Sequence, residues 1–348
     1  MEPLGSASDK SEFLAGVEAR LTSLMGAPIS ETTDSHDSLM EAARHLCVGG
    51  GGKRARPVLV SLFADVLGLP DVEVISIAVA AELIHSASLL HDDVIDAGMY
   101  RRGKPTANAM WGNIVAVMSG DLVLTLALQE LSDLNFATTK DAISTVAQMT
   151  RGSILEVEGR GNVALPLSAA RNIGEWKTGS LFAFCGSAVG RLAKNEEAGN
   201  HFAQFGRRLG VAFQIADDVR DLMPPTHGKP RFADIYSGTP SVPLLLAAGM
   251  DEGFRKRIKE AWSFGVMRPE LVNELGMMVL RTGAVEQSLT LMQQEIEDAI
   301  KALGDFARLK GGDALVESVR NLAQGIHMEA SNERLPVDNR PVPVTAAG

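Results

Sequence analysis

Two long apolar runs in this chain close on the same acidic pattern, first Asp92-Asp93-Val94-Ile95-Asp96 and then Asp217-Asp218-Val219-Arg220-Asp221. Ahead of the first, Val74, Ile77, Ala78, Ala81, Ile84 and Leu89 recur at three- and four-residue steps, the period of a helix with one apolar face. On that helix Asp92 and Asp96 share a face. Like charges at this spacing cost roughly a few tenths of a kcal/mol in water and far more in a cleft, unless something cationic sits between them. One such triplet reads equally well as a solvated helix end. Two, each ending an apolar helix, point to a bound cation. Oxygen-only donors select hard ions, and magnesium takes one or two carboxylates together with substrate phosphates. The pair therefore predicts several Mg2+ ions around one diphosphate, with Asp92, Asp93, Asp96, Asp217, Asp218 and Asp221 as candidate ligands.

Helical spacing continues over Val115–Leu131, Ile143–Val157, Phe202–Leu222 and Val272–Leu303, while alternating strand patterns are short and aromatics make up only 5%. Gly and Pro cluster between the runs, at 49–52, 159–166 and 224–230. No stretch is long enough to act as a linker. The expectation is one all-α domain over residues 1–332, with a disordered tail over 333–348, where three prolines interrupt a segment with no apolar period. Glu82 and Asp121 break the longest apolar stretches, which argues against membrane spans. The net charge of -10 argues against non-specific nucleic-acid binding. Cys47 and Cys185 form no CxxC pair, and the first residues lack a secretory pattern, so a cytoplasmic enzyme is the expectation.

The basic residues are grouped as well. Gly49–Pro57 (GGGGKRARP) lacks P-loop spacing, yet its glycines let a backbone approach phosphate, and Lys53 and Arg56 supply charge. Arg101 and Arg102 follow the first triplet closely. They read either as a salt-bridge cluster or as a diphosphate clamp. Lys177-Thr178 and Lys229 are weak signals alone. His85 lies on the face of the helix that carries Asp92, where a lone histidine is usually structural.

Taken together, GGKRARP, IHSASLLHDDVIDAGMYRRGKPTAN, Gly120-Asp121, Lys177-Thr178 and LGVAFQIADDVRD resemble the trans-isoprenyl (polyprenyl) diphosphate synthase family, from about Gly49 to Pro243. The resemblance implies an antiparallel helical bundle of the isoprenoid synthase type around a deep central cavity, usually a homodimer. It implies a prenyltransferase that condenses isopentenyl diphosphate with an allylic diphosphate through a carbocation. Asp92, Asp96 and Asp217 would ligate magnesium, with Asp93, Asp218 and Asp221 as direct or supporting partners. Arg101, Lys177 and Lys229 would hold the allylic diphosphate. Lys53, Arg56, His85 and Arg102 would hold that of isopentenyl diphosphate. Thr178 and Gln214 would flank the breaking bond.

One stretch departs from the family pattern. Where a second lysine is expected after Lys229, the chain has Thr239, and Arg231 is a candidate replacement. Ala87 and Ser88, one turn before Asp92, would form the wall of the growing-chain cavity. Their small size implies products longer than fifteen carbons, and residues around Met118–Leu128 on the next helix are candidates for the floor. The competing expectations are a class I terpene cyclase, which needs no isopentenyl site, and a non-catalytic partner subunit, which would lose its acidic motifs.

Overall fold

In the computed structural model, residues 10–26, 37–48, 52, 54–224, 231–265 and 267–332 are described. Lys53, Lys229 and the 333–348 tail lie outside them. The chain begins with α1 (Ser11–Leu24), α2 (Ser38–Cys47), α3 (Ala55–Leu67) and α4 (Asp71–Ile95). A two-stranded hairpin, β1 (Tyr100–Arg101) against β2 (Lys104–Pro105), leads into α5 (Ala107–Ser132), α6 (Phe136–Gly159) and α7 (Leu167–Gly174). A π-helical turn (Glu175–Gly179) joins α7 to α8 (Ser180–Leu192), and α9 (Glu196–Asp221) follows. After these come α10 (Ala233–Ser237), α11 (Val242–Met250), α12 (Glu252–Phe264), α13 (Pro269–Arg281), α14 (Ala284–Ala302) and α15 (Gly312–Asn332). The all-α expectation holds.

Helix starts follow capping chemistry. Asp37, Thr106, Asn135, Asn195 and Asp251 each accept a backbone N–H from the first turn of the helix they precede. The period-based run Val272–Leu303 is in fact two helices. Gly283, at φ 81°, starts α14 from a conformation that the α13 helix cannot continue through. Gly112, at φ 83° and ψ 164°, likewise kinks the first turns of α5.

The helices α4, α8 and α9 make the centre. Phe63 of α3 stacks on Phe202 at 4.5 Å and meets Phe205 edge-on at 5.7 Å, both on α9. The helices α8 and α9 approach closely because a β-carbon at Gly206 would lie 2.4 Å from the Phe182 carbonyl oxygen. By length and composition α4 and α5 could each cross a membrane, but α4 is mostly buried in the protein, and its Glu82 is held by Arg54.

Candidate active site

The first acidic triplet occupies the C-terminal turn of α4. The helix closes when Gly98 N–H bonds to the Asp93 carbonyl and Ala97 N–H to that of Val94, a Schellman closure with Ala97 in the left-handed region at φ 49°. The neighbours Asp92 and Asp93 point differently. Asp93 is buried, and Arg101 on β1 grips it through Nη2 at 2.8 Å and Nε at 3.0 Å. Asp92 lies 3.8 Å from Lys177 Nζ, and Asp96 pairs with Arg160. Burial raises the Asp92 pKa. Lys177 opposes that rise, and Glu156 and Asp96 add to it.

The second triplet, on α9, is divided by burial. Asp217 is 68% exposed and paired with Arg220 at 3.0 Å. Buried Asp218 accepts from Val242 N–H and from Gln214 Nε2, both at 3.0 Å. Burial still pushes its pKa up to about 7, with Glu156 and Asp217 adding to the rise. Buried Asp221 accepts the N–H groups of Ala233 and Asp234 at 3.1 and 3.0 Å, fixing the start of α10. Its carboxylate thus organises backbone.

The π-helical turn stands between the two triplets. A β-carbon at Gly152 of α6 would sit 2.4 Å from Lys177 N, and one at Gly210 of α9 would sit 2.3 Å from Gly179 Cα, so glycines on both flanks let the turn wedge in. Turns of this kind are frequent at functional sites. Lys177 Nζ donates to Glu156 at 2.5 Å. Burial alone would lower the Lys177 pKa, but Asp92 and Glu156 outweigh it and hold the ammonium above the usual lysine range. Thr178 Oγ1 donates to Gln214 Oε1 at 3.0 Å, giving an unbroken line Thr178–Gln214–Asp218.

The basic group gathers at the start of α3. Buried Arg54, in the left-handed region at φ 49°, pairs with Glu82 at 2.5 Å and Glu18 at 2.6 Å and donates to the Cys47 carbonyl at 2.8 Å. Arg56 lies 4.9 Å from the Phe182 ring centroid. Burial lowers the pKa of Arg56 and of Arg102. Burial first, then Arg56 and Arg102, drive His85 well below the ordinary 6.5, so it is neutral at pH 7. Arg102 reaches over Gly52, where a β-carbon would lie 2.9 Å from Nη1. Among the described residues, three buried arginine donors have no hydrogen-bond partner: Arg56 Nε, Arg160 Nε and one Arg220 Nη. Arg160 and Arg220 pair with triplet carboxylates, and Arg56 feels the charge of Asp217.

Ala87 is buried and Ser88 partly so, its hydroxyl donating to the His85 carbonyl. Thr239 shares a hydroxyl contact of 2.8 Å with Ser237. Arg231 donates to the Leu222 carbonyl at 2.9 Å and lies over the Phe232 ring at 4.6 Å. Motif reading missed Glu156, Arg160, Arg54 and Glu82. Glu156 lies within Val157's apolar run, four residues from Gly152, but nothing in that spacing marks it.

Among the described residues, no group of three or more His, Cys, Asp or Glu side chains is gathered closely enough to hold a metal ion alone. The donor chemistry nevertheless fits a hard divalent ion. Asp92, Asp96 and Asp217 offer oxygen only, and burial, with neighbouring carboxylates adding to it, raises the Asp92 and Asp218 pKa values, so a cation beside them would favour their ionised forms. An ion sharing phosphate oxygens would complete its shell with the ligand and water.

The polyprenyl synthetase family model matches residues 36–274. A nonaprenyl diphosphate synthase from Mycobacterium tuberculosis is 34% identical over 70% of this chain and 72% of its own. An octaprenyl diphosphate synthase from Haemophilus influenzae is 35% identical over 74% and 79%. A solved polyprenyl synthase from Caulobacter crescentus, complexed with calcium and isoprenyl diphosphate, superposes with a TM-score of 0.83 at 26% identity, over 93% of this chain and 99% of that one.

Proposed function

This chain belongs to the polyprenyl synthetase family, and from that premise we infer that it is a polyprenyl diphosphate synthase. It is a prenyltransferase that makes products longer than fifteen carbons. Its substrates are isopentenyl diphosphate and an allylic diphosphate. The reading is carried by the meeting of both acidic triplets at one π-helical turn, where Lys177 lies 3.8 Å from Asp92 and Thr178 is joined through Gln214 to Asp218. A calcium ion and isoprenyl diphosphate in the Caulobacter protein support divalent-ion dependence, and magnesium is our choice of ion.

In this reading Asp92, Asp96 and Asp217 hold the metal. Asp93 supports them by fixing Arg101, Asp218 by ordering Gln214 and the start of α11, and Asp221 by fixing α10. Bound magnesium supplies Lewis-acid neutralisation of the departing diphosphate. Lys177, Lys229 and Arg101 hold the allylic diphosphate, adding fixed positive charge where negative charge develops. Arg56, Arg102, Lys53 and neutral His85 orient isopentenyl diphosphate so that its double bond meets the allylic cation. The Thr178–Gln214 pair lines the breaking bond with fixed dipoles. The proton lost in the last step goes to the released diphosphate. Packed apolar helices keep out the water that would quench the cation. Uncovered apolar side chains on α5 (Ile114, Val117, Met118) and α6 (Ile143, Ile154) support action as a homodimer, and the cytoplasm is our choice of location.

The test incubates purified protein with magnesium, labelled isopentenyl diphosphate and allylic primers of several lengths, then sizes the dephosphorylated products. Extended prenyl alcohols that vanish with EDTA and in Asp92→Ala are expected. Cyclised hydrocarbon formed without isopentenyl incorporation would refute the assignment.

A further inference from the structure

Arg160 stands at the C-cap of α6, its N–H bonded to the Val157 carbonyl at 3.2 Å. A helix C-terminus favours a cation. The turn that carries Thr239 is stapled to the same place. Gly161 N–H donates to the Gly238 carbonyl at 2.8 Å. A β-carbon on Gly238 would lie 3.9 Å from Arg160 Cβ, and one on Gly159 would lie 3.7 Å from Pro240 Cγ. The two segments thus form one clamp, and Arg160 is its cation. Thr239 brings no charge and shares its hydroxyl with Ser237. Arg231 is turned to Leu222 and Phe232.

Arg160 already faces the first acidic triplet. It pairs with Asp96 through one Nη, while its Nε is buried with no partner. A plain surface ion pair would leave Nε in water. A guanidinium is a planar fork suited to two phosphate oxygens, and this one uses part of that fork. Were Asp96 to hold a metal ion, the guanidinium beside it would be free to pair with another anion.

Resting on the synthase reading above, we propose that Arg160 binds the allylic diphosphate, filling the place of the cation that position 239 lacks. Arg160 pairs with Asp96 and passes to phosphate oxygen in the complex.

The experiment measures calorimetric binding of a prenyl thiolodiphosphate, which resists ionisation, in the presence of magnesium. Wild type, Arg160→Ala, Arg160→Gln and the double variant Arg160→Ala/Thr239→Lys are compared, and isopentenyl diphosphate is titrated separately. Removing a charge-assisted bond predicts about tenfold weaker binding of the thiolodiphosphate in both single variants. Isopentenyl diphosphate affinity should stay unchanged, and Thr239→Lys should restore most of the loss. A merely structural arginine would not be rescued from position 239. Wild-type affinity in the single variants, or no rescue in a double variant with native circular dichroism, overturns the proposal. If Arg160→Ala unfolds, Arg160→Gln carries the same expectation. Failure of folded wild type to bind the probe would instead remove the synthase reading, and this proposal with it.

Discussion

Glu82 is the side chain whose removal the structure makes most consequential outside the acidic triplets. It lies in the middle of α4, 4% exposed, and its partner Arg54 is 8% exposed. Burial works against the charge on Arg54, but Glu18 and Glu82 outweigh it and hold its pKa above the ordinary arginine value. Glu82→Leu leaves the guanidinium buried with half its compensation. Breaking one side of such a pair costs about 3–5 kcal/mol. Here Glu18 at 2.6 Å and the Cys47 carbonyl at 2.8 Å remain, so the loss should fall near the lower end, about 3 kcal/mol. That is a large part of a typical net stability of about 5–15 kcal/mol. Urea unfolding followed by circular dichroism reads it. Replacing both partners, as Arg54→Met with Glu82→Leu, should recover most of the stability, because two apolar side chains need no compensation. Catalysis should not recover. The left-handed Arg54 sets where α3 starts and where Arg56 points, so KM for isopentenyl diphosphate should stay raised while that for the allylic substrate changes little. A Glu82→Leu loss below about 1 kcal/mol, the range of exposed pairs, would refute the reasoning. So would a double variant as unstable as the two single losses added.

Ala87→Phe should shorten the product by at least one isoprene unit, read by chromatography of the dephosphorylated alcohols, at a stability cost of about 1–3 kcal/mol for overfilling a buried site; an unchanged product spectrum would contradict the placement of the cavity wall. His85, with its folded pKa well below 6.5, stays neutral in the folded protein while the unfolded chain takes up a proton. Its contribution to stability is therefore complete above pH 6.5 and is lost as pH falls below it, by up to about 1.4 kcal/mol per pH unit. The stability difference between wild type and His85→Phe should drift with that slope below pH 6.5, and a flat difference would place His85 in water.

Apolar periodicity was enough to find α4, α5, α6 and α9, because each buries one long stripe and its neighbours in sequence carry the signal. The same argument failed at Thr282-Gly283. The apolar period survives that break, and only the glycine marks it. Within the site, carboxylates on helices were legible as types but not as roles. Asp92 and Asp93 are adjacent in sequence, and about 100° of helical rotation separates a side chain beside Lys177 from one locked to Arg101. Asp217 and Asp221 share a spacing and differ in fate, since α10 folds back over one and leaves the other in solvent. Glu156, Arg160 and the Arg54–Glu82 pair were invisible because their meaning lies in partners distant along the chain. Lys53 and Lys229, named from motifs, lie outside the described residues.

The π-helical turn at Glu175–Gly179 has a consequence for how this chain can change length. Helical φ/ψ continues from α7 through the turn into α8, so the turn acts as a phase shift of one residue, about 100° of azimuth. The stripe by which α8 packs against α3 and α9 is set by that offset. Deleting one residue within the turn would let the segment relax into a uniform helix, with Lys177 carried away from Glu156 and Asp92, while α8 kept its own contacts. Loss of a residue here would leave a folded protein with a misdirected ammonium. The same loss in the middle of α8 would rotate apolar side chains out of the core. Indels in this region should therefore sort into silent-fold and broken-fold classes by position alone, with the boundary at Ser180.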